Sequence, residues 1–126
     1  MNHETPKREL PKYEALGHNG FTLRITDTQL RKSTINANRL VREALSSIID
    51  YADIEPGAKV FIPCKLKFRG ETTQTKASFL IPKRRSKTSP EPRFWPYKLN
   101  KFASSGDILW VRVNNGELEI SDHDPT

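Results

Sequence analysis

The sequence predicts a small, mainly β domain, a barrel or sandwich with one main helix. Three observations carry that expectation. Short alternations of apolar and polar residues recur between residues 21 and 120, and five or more of them read as antiparallel strands. Helical periodicity is clear in a single stretch, which begins at Asn38. The length of 126 residues suits one core and leaves no room for a second of full size.

Taken in order, residues 1–20 are polar, contain Pro6, Pro11, Gly17 and Gly20, and read as an arm or tail. Residues 21–26 alternate, with Phe21, Leu23 and Ile25 on one face of a half-buried strand. The polar run that follows predicts a long loop with at most one helical turn, at residues 28–31. In the helix, Leu40, Ala44, Leu45, Ile48 and Ile49 form an apolar stripe that carries it to Asp50. Pro56-Gly57 then leads into the next strand.

Residues 59–68 place Val60, Ile62, Cys64, Leu66 and Phe68 on one face of that strand and Lys59, Lys65 and Lys67 on the other. Residues 69–75 read as a turn or loop. Residues 76–82 read as the returning strand, with Ala77, Phe79 and Ile81 inward. A loop rich in Lys, Arg, Ser and Pro spans residues 82–92, and residues 94–102 mix aromatics with Lys98 and Lys101. Gly106-Asp107 opens a strand at 108–113, Asn114-Asn-Gly116 makes a tight turn, and 117–120 return as a hairpin. The acidic residues 121–126 read as a disordered tail. The expected domain therefore spans 21–120, with no internal repeat.

Charge is distributed unevenly. Residues 1–55 are neutral, residues 56–105 carry twelve Lys and Arg against two Glu, and residues 106–126 carry one Arg against five acids. The net charge of +6 thus comes from one central basic block. Such a block is the footprint of a phosphate-binding surface, although a solvated face gives the same composition. No apolar run approaches the ~20 residues that a membrane helix needs. The first twenty residues lack the basic-then-apolar order of a signal peptide. A cytoplasmic chain without a membrane partner is the expectation.

Catalysis is not expected. His3, His18 and His123 fall in presumed tails, and a nucleophile needs a positioned base. The single Cys64 lies on the apolar face of a strand, which excludes a disulfide framework and suits a core thiol. Asp27, Asp50, Asp53, Glu55, Glu71 and Asp107 show no carboxylate-X-Lys step that would hold a metal beside a nuclease site. There is no Walker loop. The reading assigns no catalytic residue, no metal ligand and no cofactor.

Two polar loops are the better candidates. Residues 26–39 contain Thr28, Gln29, Arg31, Lys32, Ser33, Thr34, Asn36, Asn38 and Arg39. Arg reads guanine edges and Asn or Gln reads adenine, whereas Ser and Thr hydroxyls suit phosphate. The bland alternative is a surface loop in which Ser33 or Asn36 caps the helix. The second loop, residues 83–93, supplies Lys83, Arg84, Arg85, Lys87 and Arg93 against one acid, stiffened by Pro90 and Pro92. Trp95 and Lys98 follow, and Lys65, Lys67 and Lys101 flank as backbone contacts. For Phe94 and Trp95, core packing is the competing role.

The strand 21–26, the polar loop, Asn38-Arg-Leu-Val41 and the helix resemble the opening of B3-type DNA-binding domains. Pro56-Gly-Ala-Lys-Val-Phe61, Arg93-Phe-Trp95 and Gly106-Asp107 before a strand extend the likeness, most closely to recognition domains of type II restriction endonucleases. The resemblance implies an open pseudobarrel of about seven strands whose N-arm and C-arm grip the major groove. Carried across, the arms are residues 26–39 and 83–93. The implied partners are double-stranded DNA and a nuclease domain or subunit. Plant members continue into a strand where residues 40–50 here read as a helix. Rival readings are a single-strand or RNA-binding barrel stacking bases on Phe94, Trp95 and Tyr97, a domain docking an acidic protein, and a swapped-hairpin transcription regulator.

Overall fold

The computed structural model describes residues 12–17, 19–83 and 91–125. Eight strands form one sheet: β1 (Lys12–Ala15), β2 (Gly20–Arg24), β3 (Ile35–Asn36), β4 (Lys59–Phe68), β5 (Glu71–Leu80), β6 (Arg93–Pro96), β7 (Ile108–Asn114) and β8 (Glu117–Ser121). Their order is β1-β2-β7-β8-β4-β5-β6-β3. Every pairing is antiparallel except β4 with β8. The sheet curls strongly, so its two edge strands approach each other. The Tyr13 hydroxyl on β1 donates to the Asn36 carbonyl on β3 at 3.1 Å, across a seam without backbone pairing. The result is mainly β, as the sequence predicts, and an open pseudobarrel, as the resemblance implies. It has eight strands where about seven are expected and two helices where one main helix is expected.

The core fills the curl. Phe21 and Leu23 of β2, Leu109 and Val111 of β7, Leu118 and Ile120 of β8, Cys64 and Leu66 of β4, and Phe79 of β5 are buried. The helices α1 (Asp27–Lys32) and α2 (Arg39–Leu45) precede β4. α2 buries Val41, Ala44 and Leu45 and packs against β1, β2 and β7. Burial pushes the Cys64 thiol up to about 12, because a thiolate there would lose its hydration. Alkylation at pH 8 should therefore be slow in the native chain and fast once denaturant unfolds it, a contrast readable by mass spectrometry. Equal rates would show that Cys64 is accessible.

Four local readings are corrected. The region 26–39 is a helix, a two-residue strand and a cap, because Thr26 and Gln29 close a capping box around α1. The second helix ends at Leu45 rather than Asp50, and the chain continues through a 3-10 turn, Tyr51–Asp53. Residues 71–75 belong to β5, since Arg69 and Gly70, both at positive φ, turn the chain in two residues. The sheet also takes in Lys12–Ala15 and Ser121, which the sequence places in the arm and the tail. The Asp122 carboxylate beyond them accepts the Arg69 backbone N–H at 2.9 Å, anchoring the residue that follows β8. No helix among the described residues is long and apolar enough to cross a membrane.

Candidate nucleic-acid interface

Residues paired across neighbouring strands point to the same face, so the register places the polar side chains. Asn36 on β3 faces Arg93 on β6, Arg93 faces Leu80 on β5, and Leu80 faces Lys59 on β4. The next row on that face is Trp95, Ser78 and Phe61. Lys76 and Pro63 follow, and then Gln74, Lys65, Glu119 and Arg112. One outer face therefore carries the end of each predicted arm and most of the strand lysines. Ala37 N–H donates to the Pro92 carbonyl at 2.7 Å, which ties the two arms together at β3 and β6.

An open groove of ≈ 790 Å³ lies on this side, lined by Lys59, Lys76, Lys98 and Lys101 together with Ser33 and Tyr97 among others. No Asp or Glu lines it, and among the described residues none of its lysines forms an ion pair. Lys98 adopts a left-handed conformation, φ 71, which turns the chain from β6 into the 3-10 helix Leu99–Lys101. Ser33, at φ 51, ends α1 in the same conformation. Left-handed backbone is costly for residues with a Cβ, so both groove positions are held there by their surroundings.

Three other strand cations, Lys65, Lys67 and Arg112, are paired with carboxylates. Lys65 pairs with Glu117 at 3.0 Å, and Lys67 and Arg112 pair with Glu119 at 3.2 and 2.9 Å. Burial raises the Glu119 carboxyl, but hydrogen bonds from Arg112, Lys67 and Asn114 outweigh it and leave the group below its ordinary range. Hydrogen bonds from Gln74 and Lys65 lower Glu117 likewise. Lys65 and Lys67, expected as flanking backbone contacts, thus lie in an ionic row with Glu117 and Glu119. A depressed carboxyl stabilises the fold above its unfolded pKa, and that contribution disappears as pH falls through the folded one. Glu119→Gln should thus lower the melting temperature at pH 7 and lose less further stability on acidification below pH 5 than the parent. A parallel acid limb would remove Glu119 from this account.

The predicted site residues divide by local role. Gln29 is buried and returns its side-chain oxygen to the Thr26 N–H at 2.9 Å. Asn38 caps α2, accepting from the Val41 N–H at 3.0 Å, so the helix cap is Asn38 rather than Ser33 or Asn36. Arg31 pairs with Asp27 and Arg39 with Glu43 along their own helices. Thr34 is half-buried, and Thr28, Lys32, Ser33, Asn36, Arg93 and Lys98 are exposed. Lys83 is exposed where its stem passes Gly57, whose φ of +89 favours glycine. Trp95 is buried at 7% exposure, as is Phe94 at 2%, so neither presents an open ring face. Arg84, Arg85 and Lys87 lie outside the described residues.

Sequence reasoning missed Lys76, Ser78 and Asn100 as groove-lining residues. The signal existed: even-numbered residues 72–80 alternate with the buried Ala77 and Phe79 once β5 is recognised in full. The grouping Ser121, Asp122 and His123 resembles a relay but cannot act as one. Ser121 Oγ at 3.1 Å and Asp122 Oδ1 at 2.7 Å both meet the same ring nitrogen, Nδ1, and Ser121 is buried. A relay needs its base and its orienting acid on different nitrogens. Among the described residues no group of three His, Cys, Asp or Glu gathers to hold a metal. No family model, curated protein or solved structure matches the chain.

Proposed function

We propose that the chain is a sequence-specific recognition domain for double-stranded DNA, the reading already implied by the B3 resemblance. The observation that carries it is the carboxylate-free groove with Lys59, Lys76, Lys98 and Lys101, continuous with Asn36 and Arg93 on one face. Ammonium groups suit phosphates, which position a duplex without reading it. A guanidinium and an amide side by side suit guanine and adenine edges in the major groove. In this reading Lys83 extends the phosphate contacts along the second arm, and a nuclease domain or subunit supplies the cleavage of a restriction enzyme.

Selection from randomised duplexes tests it: a recovered consensus of several base pairs supports the reading, and recovery without a consensus overturns sequence specificity. Tighter binding to single strands than to any duplex would favour the stacking barrel instead. The chain alone should not cleave DNA in Mg²⁺, since phosphoryl chemistry needs carboxylates that converge on the cation. Cleavage by the purified chain, abolished on changing Asp27 or Glu71, would overturn that expectation.

A further inference from the structure

Phe61, at 49% exposure, is the most exposed large apolar side chain among the described residues. Its place is unusual for such a residue, within the ten-residue strand β4 and on the face that carries the cations. An isolated exposed ring needs no explanation, but this one is held by a neighbouring ring and has a cation over it. It forms a T-shaped pair with Tyr97, 5.9 Å between centroids and 88° between planes. Lys76 Nζ lies 4.4 Å from the Phe61 centroid and 5.3 Å from that of Tyr97. Across the strand pair its partner is the short, buried Ser78, so the exposed surface at this point of the sheet belongs to Phe61. Lys76 and Tyr97 also line the groove, so the ring borders the cationic path.

An aromatic face beside an unpaired cationic groove is the combination that holds a base by stacking and its phosphate by charge. We infer that Phe61, steadied by Tyr97 and Lys76, is a stacking platform for one unpaired nucleobase of the bound DNA. This rests on the DNA-binding reading and adds a preference for a locally opened duplex. It shares Tyr97 with the stacking surface expected from the sequence but puts Phe61, on another strand, in place of Phe94 and Trp95, which are buried.

The test uses the full chain and two versions of one duplex, fully paired and with a single unpaired 2-aminopurine at its centre. The parent should bind the second about tenfold more tightly, the order expected of one stacked base. Phe61→Ala should bring that ratio near one, and Phe61→Trp should retain it. The 2-aminopurine emission should be quenched on binding to the parent, which reads the same contact without any substitution. A parent that binds both duplexes equally, without quenching, overturns the platform and leaves DNA binding intact. A preference that survives in a folded Phe61→Ala chain overturns it as well. A parent that binds neither duplex overturns the underlying reading.

Discussion

Changing Lys59, Lys76, Lys98 and Lys101 together to Ala is expected to weaken duplex binding about a hundredfold or more near physiological salt. The size follows from counterion release. If these four and the neighbouring Lys83 each neutralise one phosphate, log K against log[salt] should have a slope of about −4.5. Each lost contact should make the slope shallower by about one unit, leaving roughly −1 in the quadruple variant. The control is built into the sheet. Lys65 and Lys67 belong to the same basic block, but Glu117 and Glu119 already hold them. Removing these two alters net charge without removing a phosphate contact, so their slope should stay within about one unit of the parent's. Titrations at several salt concentrations give all three slopes. A quadruple variant with the parent's slope would take the groove out of DNA binding. Equal flattening by Lys65 and Lys67 would reduce the effect to net charge.

The strands were legible because burial imposes a period of two, and β4 emerges with the bounds that the alternation predicts. The turn at Asn115 and Gly116 was legible for another reason: both adopt positive φ, which Asn and Gly tolerate best. What escaped detection had no hydrophobic pattern to reveal it. β3 has two residues and owes its existence to pairing with β6, a contact between residues far apart in the chain. α1 buries one polar residue, Gln29, and is defined by its caps, so the spacing of Thr26 and Gln29 was the informative signal. The parallel pairing of β4 with β8 could not be read locally either, and it decides which cations are silenced. Composition counted Lys65 and Lys59 alike, whereas register puts one beside a carboxylate and the other in the groove. For the same reason Phe61 was legible as an outward residue but not as a neighbour of Tyr97.

The second large effect separates residues that read DNA from residues that hold the arm in place. Asn36 and Arg93 are exposed and face each other across β3 and β6, with no helix cap to make. Asn36→Ala or Arg93→Ala should cost about 1–3 kcal/mol on the preferred site and much less on scrambled duplex, the loss expected of a bidentate base contact. Melting temperature should barely move, because both side chains are exposed and bury little. Asn38 and Gln29 should behave in the opposite way. Asn38→Ala removes the acceptor for the Val41 N–H, a cap worth ~0.5–2 kcal/mol of stability. Gln29→Ala leaves the Thr26 N–H without its acceptor in a buried position, at a cost of ~1–3 kcal/mol. For a domain of this size each kcal/mol lost lowers the melting temperature by about 4–8 °C. Affinity of the folded fraction should fall equally for preferred and scrambled sites, because a loosened arm positions no base contact better than another. The measurement is a melt of each variant beside titrations on both duplexes below its melting range. Selective losses from Asn38→Ala at unchanged stability would make the cap residue a reader. Losses from Asn36→Ala and Arg93→Ala that are equal on both duplexes would reduce the β3–β6 edge to a phosphate clamp, and base recognition would then have to come from elsewhere in the two arms.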